Sequence, residues 1–256
     1  MISYLESMGI DTTKALEYLG DEETYASMLK DFLSEIEAKV NRLNEDYTSG
    51  NMKSFSIDVH SLKSDSRYLG FTKLAEMALI EENKSKENDY EFIKKDYPNL
   101  IKELQRIINI IAEGLSKENA SEIKLSSNYS NNSKKMILVV DDSHTISHFI
   151  TSVFNDKYDV AVALDGGEAL NVINSSDHSD IVGMLLDLNM PNVNGFEVLN
   201  FMKKNNLLED MPVVVITGLE KGSIENSLKE YNVVDVLYKP FSAEELKSAI
   251  ASCEKF

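Results

Sequence analysis

Five short apolar runs constrain this chain more than any other feature. "KMILVVDDS" holds one over 136–140 that ends in two carboxylates, and "IVGMLLDLNMP" holds one that ends at Asp187. "MPVVVITG" ends at Thr217, "VVDVLYKPF" ends at Lys239, and "YDVAVAL" adds a fifth. Short runs that are apolar throughout, not alternating, fit strands buried on both faces of a parallel sheet. Between them a helical period returns near 143–155, 166–175, 195–206, 221–230 and 242–252. That alternation predicts a (βα)5 unit, an α/β doubly wound parallel sheet.

In such a sheet the functional crevice lies beyond the carboxyl ends of the strands. Asp141, Asp142, Asp187, Thr217 and Lys239 all fall at those ends, so carboxylates, a hydroxyl and an amine converge. Clustered carboxylates repel one another unless a hard divalent cation neutralises them, and Mg²⁺ takes oxygen ligands while keeping several waters. A phosphoryl group would complete the coordination, with Thr217 and Lys239 bonding its oxygens. Asp187, the central carboxylate, is then the natural nucleophile, and catalysis is positioning with charge neutralisation. No G-x-G-x-x-G or G-x-x-x-x-G-K-[ST] occurs to support a nucleotide site. The plain alternative is a set of acidic strand ends that bind a metal or nucleotide.

Residues 116–134, "SKENASEIKLSSNYSNNSK", read as a flexible linker. They divide the chain into a first domain over 1–115 and a second over 135–256. Before the linker the period is helical: a short helix at 11–19, a long one over 21–47, another over 51–69, a fourth after Gly70, and a last one that Pro98 starts or kinks. Antiparallel helices with short connections predict an all-α four-helix bundle. On the helix over 51–69, Phe55, Val59, Leu62, Ser66 and Leu69 form one stripe. His60 lies away from that stripe with Lys63, Ser64 and Arg67 around it, so it is expected to be exposed. Nearby cations favour a neutral imidazole and later stabilise a phosphoryl group on it.

The two halves resemble known families. "HSLKSDSRYLGFTKL" is similar to the signature of histidine phosphotransfer (HPt) domains, a His with Lys at +3, usually Gly at +4, and Gly at +10; here these are His60, Lys63, Ser64 and Gly70, so Ser64 departs from the pattern. Residues 135–256 resemble the CheY-like receiver domain of response regulators, a flavodoxin-like fold. They carry the acidic pair Asp141-Asp142, "DLNMPNVNG", Thr217 and Lys239-Pro240. The resemblance implies that His60 and Asp187 carry the phosphoryl group, with Lys63, Arg67, Thr217 and Lys239 assisting. It implies Mg²⁺ held by Asp142, Asp187 and the backbone carbonyl of Asn189, with Asp141 acting mainly through a coordinated water. The family often has an aromatic switch three residues before the Lys; here that position is Val236, and Tyr238 is expected on the opposite side of the strand.

The function expected is a phosphorelay: phosphoryl groups pass between His60 and receiver aspartates, including Asp187. An upstream histidine kinase supplies phosphate, and other receiver or HPt proteins are partners. Nucleic acid and membrane are not expected partners, because a formal net charge of -17 repels polyanions. A receiver that switches a protein partner, with the helical domain as docking module or phosphate sink, is the alternative. A third reading, a Mg²⁺-dependent phosphohydrolase with an aspartyl-phosphate intermediate, calls for a second carboxylate two residues after Asp187, where Asn189 stands. A cytoplasmic location fits the single cysteine, Cys253, expected to be inert, and the lack of any long apolar run or leader-like N-terminus. His144 and His148 are expected to be solvated helix residues, His178 to need no role, and "EENKSKEND" to be a solvated helix end. A linker of about 20 residues spans roughly 25 Å, so the domains are expected to meet within one molecule yet to rest mostly undocked.

Overall fold

The computed structural model describes residues 1–116, 135–175, 180–219 and 222–255. Most of the expected linker, and His178, lie outside the described residues. Six helices form the N-terminal domain: α1 (Ile2–Ser7), α2 (Thr12–Leu19), α3 (Glu22–Ser49), α4 (Met52–Tyr68), α5 (Thr72–Lys86) and α6 (Tyr90–Ser116). The last four make the expected bundle, and α1 is an addition to the sequence reading. The stripe residues Phe55, Val59, Leu62, Ser66 and Leu69 are all fully buried. Gly70 ends α4 with φ +76°, while the Phe71 N–H bonds back to the Ser66 carbonyl at 2.8 Å, a Schellman closure. A Cβ at Gly70 would lie within 2.3 Å of the Asp11 carbonyl oxygen, so the motif glycine also admits the α1–α2 connection.

Pro98 neither starts nor ends α6, which begins at Tyr90. A proline there leaves the carbonyl four residues earlier without its donor. Tyr47 Oη reaches that carbonyl, on Lys94, at 3.4 Å.

The second domain is a five-stranded parallel sheet in the order β2-β1-β3-β4-β5, from β1 (Met136–Val140), β2 (Asp159–Ala163), β3 (Ile181–Asp187), β4 (Val213–Thr217) and β5 (Asp235–Tyr238). The central strands are buried almost throughout and the edge strands β2 and β5 only in part. Helices α7 (His144–Phe154) and α11 (Ala243–Cys253) cover one face; α8 (Gly166–Ser175), α9 (Gly195–Lys204) and the single turn α10 (Glu225–Leu228) cover the other. No helix among the described residues is long and apolar enough to cross a membrane.

The two domains are docked, which corrects the expectation of a mostly open chain. The bundle core and the α7/α11 side of the sheet form one continuous buried cluster. At the junction the Tyr68 ring meets Phe149 and Phe241, at centroid distances of 6.0 and 5.6 Å. Apolar burial across the junction favours the closed arrangement over a freely tethered one.

Candidate functional site

The strand ends deliver the expected side chains to one place. Ligand oxygens of Asp141, Asp142 and Asp187 lie within 4.8 Å of one another. Lys239 follows β5, held by its N–H to the Thr217 carbonyl at 2.7 Å, and its Nζ sits 2.6 Å from both Asp141 Oδ2 and Asp187 Oδ2. The Asn189 N–H donates to Asp187 Oδ1 at 3.2 Å, and Thr217 is fully buried beside them. The glycine of "DLNMPNVNG" has a steric reason: a Cβ on Gly195 would lie 2.2 Å from the Asp187 carbonyl oxygen. Only glycine lets α9 start against the strand that carries Asp187.

Repulsion is written into the ionisation of this cluster. Asp142 is pushed well up by desolvation, then by the charges of Asp141 and Asp187. Asp141 is pushed up to about 6 by burial, with Lys239 opposing and Asp187 adding. Burial works against Asp187 too, but Lys239 and the His60 ring outweigh it and hold it below the usual carboxylate value. One ammonium cannot neutralise three carboxylates. An all-oxygen donor set with unbalanced negative charge fits a hard divalent cation such as Mg²⁺.

His60 faces this pocket from the other domain. It sits off the core stripe of α4, as the sequence predicts, but it is 2 % exposed because the second domain covers it. Helical periodicity reports which face turns away from a helix's own core; it says nothing of a partner domain that covers that face. His60 Nδ1 is 2.8 Å from Glu82 Oε1 on α5, and Glu82 also accepts from Lys63 Nζ and Lys86 Nζ, each at 2.5 Å. Burial opposes the Glu82 charge, but the His60 hydrogen bond and the charges of His60 and Lys63 prevail and hold its carboxyl far down. An anionic Glu82 accepts, so Nδ1 carries the proton. Burial, with the Lys63 charge adding, lowers the His60 pKa against the pull of Glu82 and Asp187, which favours the neutral ring. The lone pair then belongs to Nε2, which is buried without a hydrogen-bond partner. The neighbour of Thr217, Gly218, closes over the same atom: a Cβ there would be 2.8 Å from His60 Nε2.

Lys63 pairs with Glu82 and lies 3.2 Å from His60 Nδ1, while Arg67 lines a groove with Lys14, Tyr18 and Pro240. The cation offered across the boundary is Lys39 of α3. It is held at 2.5 Å by Asp65, and despite burial its pKa is raised by Asp65, with Asp142 and Glu35 adding. Ser143 Oγ then donates to Asp65 at 2.6 Å, joining the domains directly. His144 and His148 are exposed on α7, as expected, and their Nδ1 atoms also lie 3.9 Å from Glu35 and 2.8 Å from Asp31, both on α3.

Sequence reading missed Glu82, Lys39 and Asp65. Glu82 stands in the charge run read as a solvated end, yet Leu74, Ala78, Glu82 and Ser85 share one buried helical stripe, a signal that was there. Val236 and Tyr238 lie two apart on β5 and pack on the same face, not on opposite ones. Cys253 is buried, its thiol pushed up to about 11 by burial, as an inert residue would be.

Two family models match the chain: the response regulator receiver domain over residues 137–251 and the Hpt domain over 27–122. Among curated proteins, the probable transcriptional regulator ycf27 of Porphyridium aerugineum is 35% identical over 120 residues, covering 46% of this chain and 48% of the relative. Sporulation initiation phosphotransferase F of Bacillus subtilis is 30% identical over 115 residues, covering 44% of this chain and 89% of the relative. The receiver domain of Francisella response regulator 1452 is 30% identical with a TM-score of 0.43, covering 48% of this chain and 98% of that one. The chain spans about half or less of the first curated relatives it matches.

Proposed function

The chain belongs to the two-component phosphorelay proteins, an Hpt domain joined to a response regulator receiver domain, and from that premise we propose that it passes a phosphoryl group between Asp187 and His60. The observation that carries this reading is the bare, buried Nε2 of His60 beside Gly218, facing the pocket of Asp187. In the step, the Nε2 lone pair attacks the phosphorus of the Asp187 acyl phosphate. The P–N bond forms as the P–O bond breaks, and the electron pair returns to the Asp187 carboxylate. The ring becomes cationic, and Glu82 at Nδ1 stabilises that charge while keeping the ring oriented. Lys239 and Thr217 hold the phosphoryl oxygens in the receiver pocket.

Asp142, Asp187 and the Asn189 carbonyl are the residues that would hold Mg²⁺, with Asp141 reaching it through water. The cation would neutralise charge on the transferring group. Histidine kinases and response regulators are the partners of such domains; here phosphate enters from a histidine kinase and leaves to another receiver or HPt protein. While the domains are docked His60 is covered, so exchange with a second protein requires them to part. With Mg²⁺ and radiolabelled acetyl phosphate, label appears on Asp187 and then as acid-labile, base-stable phosphate on His60. His60→Gln retains only the aspartyl label, and Asp187→Asn retains none. Label on His60 in Asp187→Asn would overturn the order of transfer.

A further inference from the structure

The tightest place in the docked interface is a glycine. A Cβ at Gly218 would meet His60 Nε2 at 2.8 Å, His60 Cε1 at 3.0 Å and Ser64 Oγ at 3.2 Å. The nearer neighbour is not free to retreat. The His60 ring is tied to Glu82, which two lysines clamp in turn. The helix that carries both residues is anchored at its C-terminal end by Tyr68, whose Oη accepts the Phe241 N–H at 3.0 Å, and three residues earlier by Asp65, which accepts from Ser143 Oγ. A methyl group at 218 therefore has to lift α4 away from the receiver.

Gly218 does not need to be glycine for its own backbone, since its φ is not among the positive values. The side chain is missing for the sake of the interface. Across from it, Ser64 stands where the HPt pattern usually has glycine. The receiver side of the contact carries no side chain, and the histidine side carries the Ser64 hydroxymethyl group.

We infer that Ser64 and Gly218 form a size-matched pair that restricts this HPt face to receivers with glycine directly after the strand-end threonine, its own receiver being one. This rests on the proposed exchange between Asp187 and His60. The partner class is defined by shape: the pocket of three aspartates, Thr and Lys is generic, while the absent side chain at this position is what admits His60 and Ser64 together. A receiver with alanine or a larger residue there cannot seat His60 at the same depth.

The test uses the full chain with Gly218→Ala, alone and with Ser64→Gly. Three quantities are read: Asp187 labelling by acetyl phosphate, transfer of that label to His60, and modification of His60 by diethyl pyrocarbonate, which needs the domains open. Gly218→Ala should label Asp187 at the wild-type rate, transfer about tenfold or more slowly, and expose His60 to modification, because overpacking of one methyl group is costly in a rigid contact. Ser64→Gly should restore part of the transfer by removing one of the two collisions. Unchanged transfer in Gly218→Ala, or a loss of transfer matched by equal loss of Asp187 labelling, overturns the inference. If the unmutated chain itself transfers nothing, the exchange reading fails; faster His60 modification in Gly218→Ala would then still uphold the size match.

Discussion

Tyr68 Oη accepts the backbone N–H of Phe241 at 3.0 Å, a bond between residues 173 positions apart that ties the last turn of α4 to the loop just after Lys239. One side chain thereby sets the distance between the histidine helix and the aspartate pocket.

Tyr68→Phe keeps the ring contacts with Phe149 and Phe241 and removes only that acceptor. An amide left unpaired in a closed interface costs about 1–3 kcal/mol, so the open fraction should rise by about tenfold. Diethyl pyrocarbonate reports it: His60 should react slowly in the unmutated chain, with exposed His144 and His148 as internal standards, and faster in the variant. A wild-type His60 that reacts as fast as His144 would contradict a docked resting state.

The receiver half was legible because its strands announce themselves twice, as aliphatic runs buried on both faces and as polar residues where each run stops. Asp141, Asp142, Asp187, Thr217 and Lys239 needed only the strand ends to be placed. His60 was legible as a residue off its own core stripe but not as a buried one. What covers it is a second domain, and no local pattern in α4 encodes Phe241 or Gly218. Glu82 and Lys39 were hidden for a related reason: charged residues on a helix read as solvated, and their burial follows from partners far away in the chain.

Asp142→Asn should separate stability from metal binding. Its carboxyl is pushed well up by desolvation and by Asp141 and Asp187, so an uncharged amide relieves repulsion in the apo protein. The apo melting temperature should rise, and the increase that Mg²⁺ gives the unmutated chain by binding the folded state should vanish. A Mg²⁺-dependent increase of unchanged size in Asp142→Asn would remove this residue from the ligand set.

Docking should weaken as pH rises from 6.5 towards 8. The hydrogen bond to Asp31 holds His148 above its ordinary value of 6.5, so its contribution is complete below that pH and is lost as pH climbs through the raised value. Glu35, pushed up to about 7 by burial and then by Asp65, acts in the same direction over its own range above 4.5. His60 opposes them below 6.5, because burial disfavours its protonated form. The His148 pair is half exposed, so its share is under about 1 kcal/mol. Small-angle scattering of the compact fraction against pH should show a shallower slope in His148→Asn than in the unmutated chain; equal slopes would exclude His148 as a contributor.

Dilution separates transfer within one chain from transfer between chains. Asp187 is charged with labelled acetyl phosphate and Mg²⁺, the donor is removed, and the growth of acid-labile label on His60 is followed at protein concentrations spanning about a hundredfold. Docked partners in one chain react at a rate set by tethering, not by concentration. The predicted result is a single first-order rate constant, unchanged by dilution and abolished by His60→Gln. A rate that falls in proportion to dilution, or label that never leaves Asp187, would contradict transfer across the interface between His60 and Asp187.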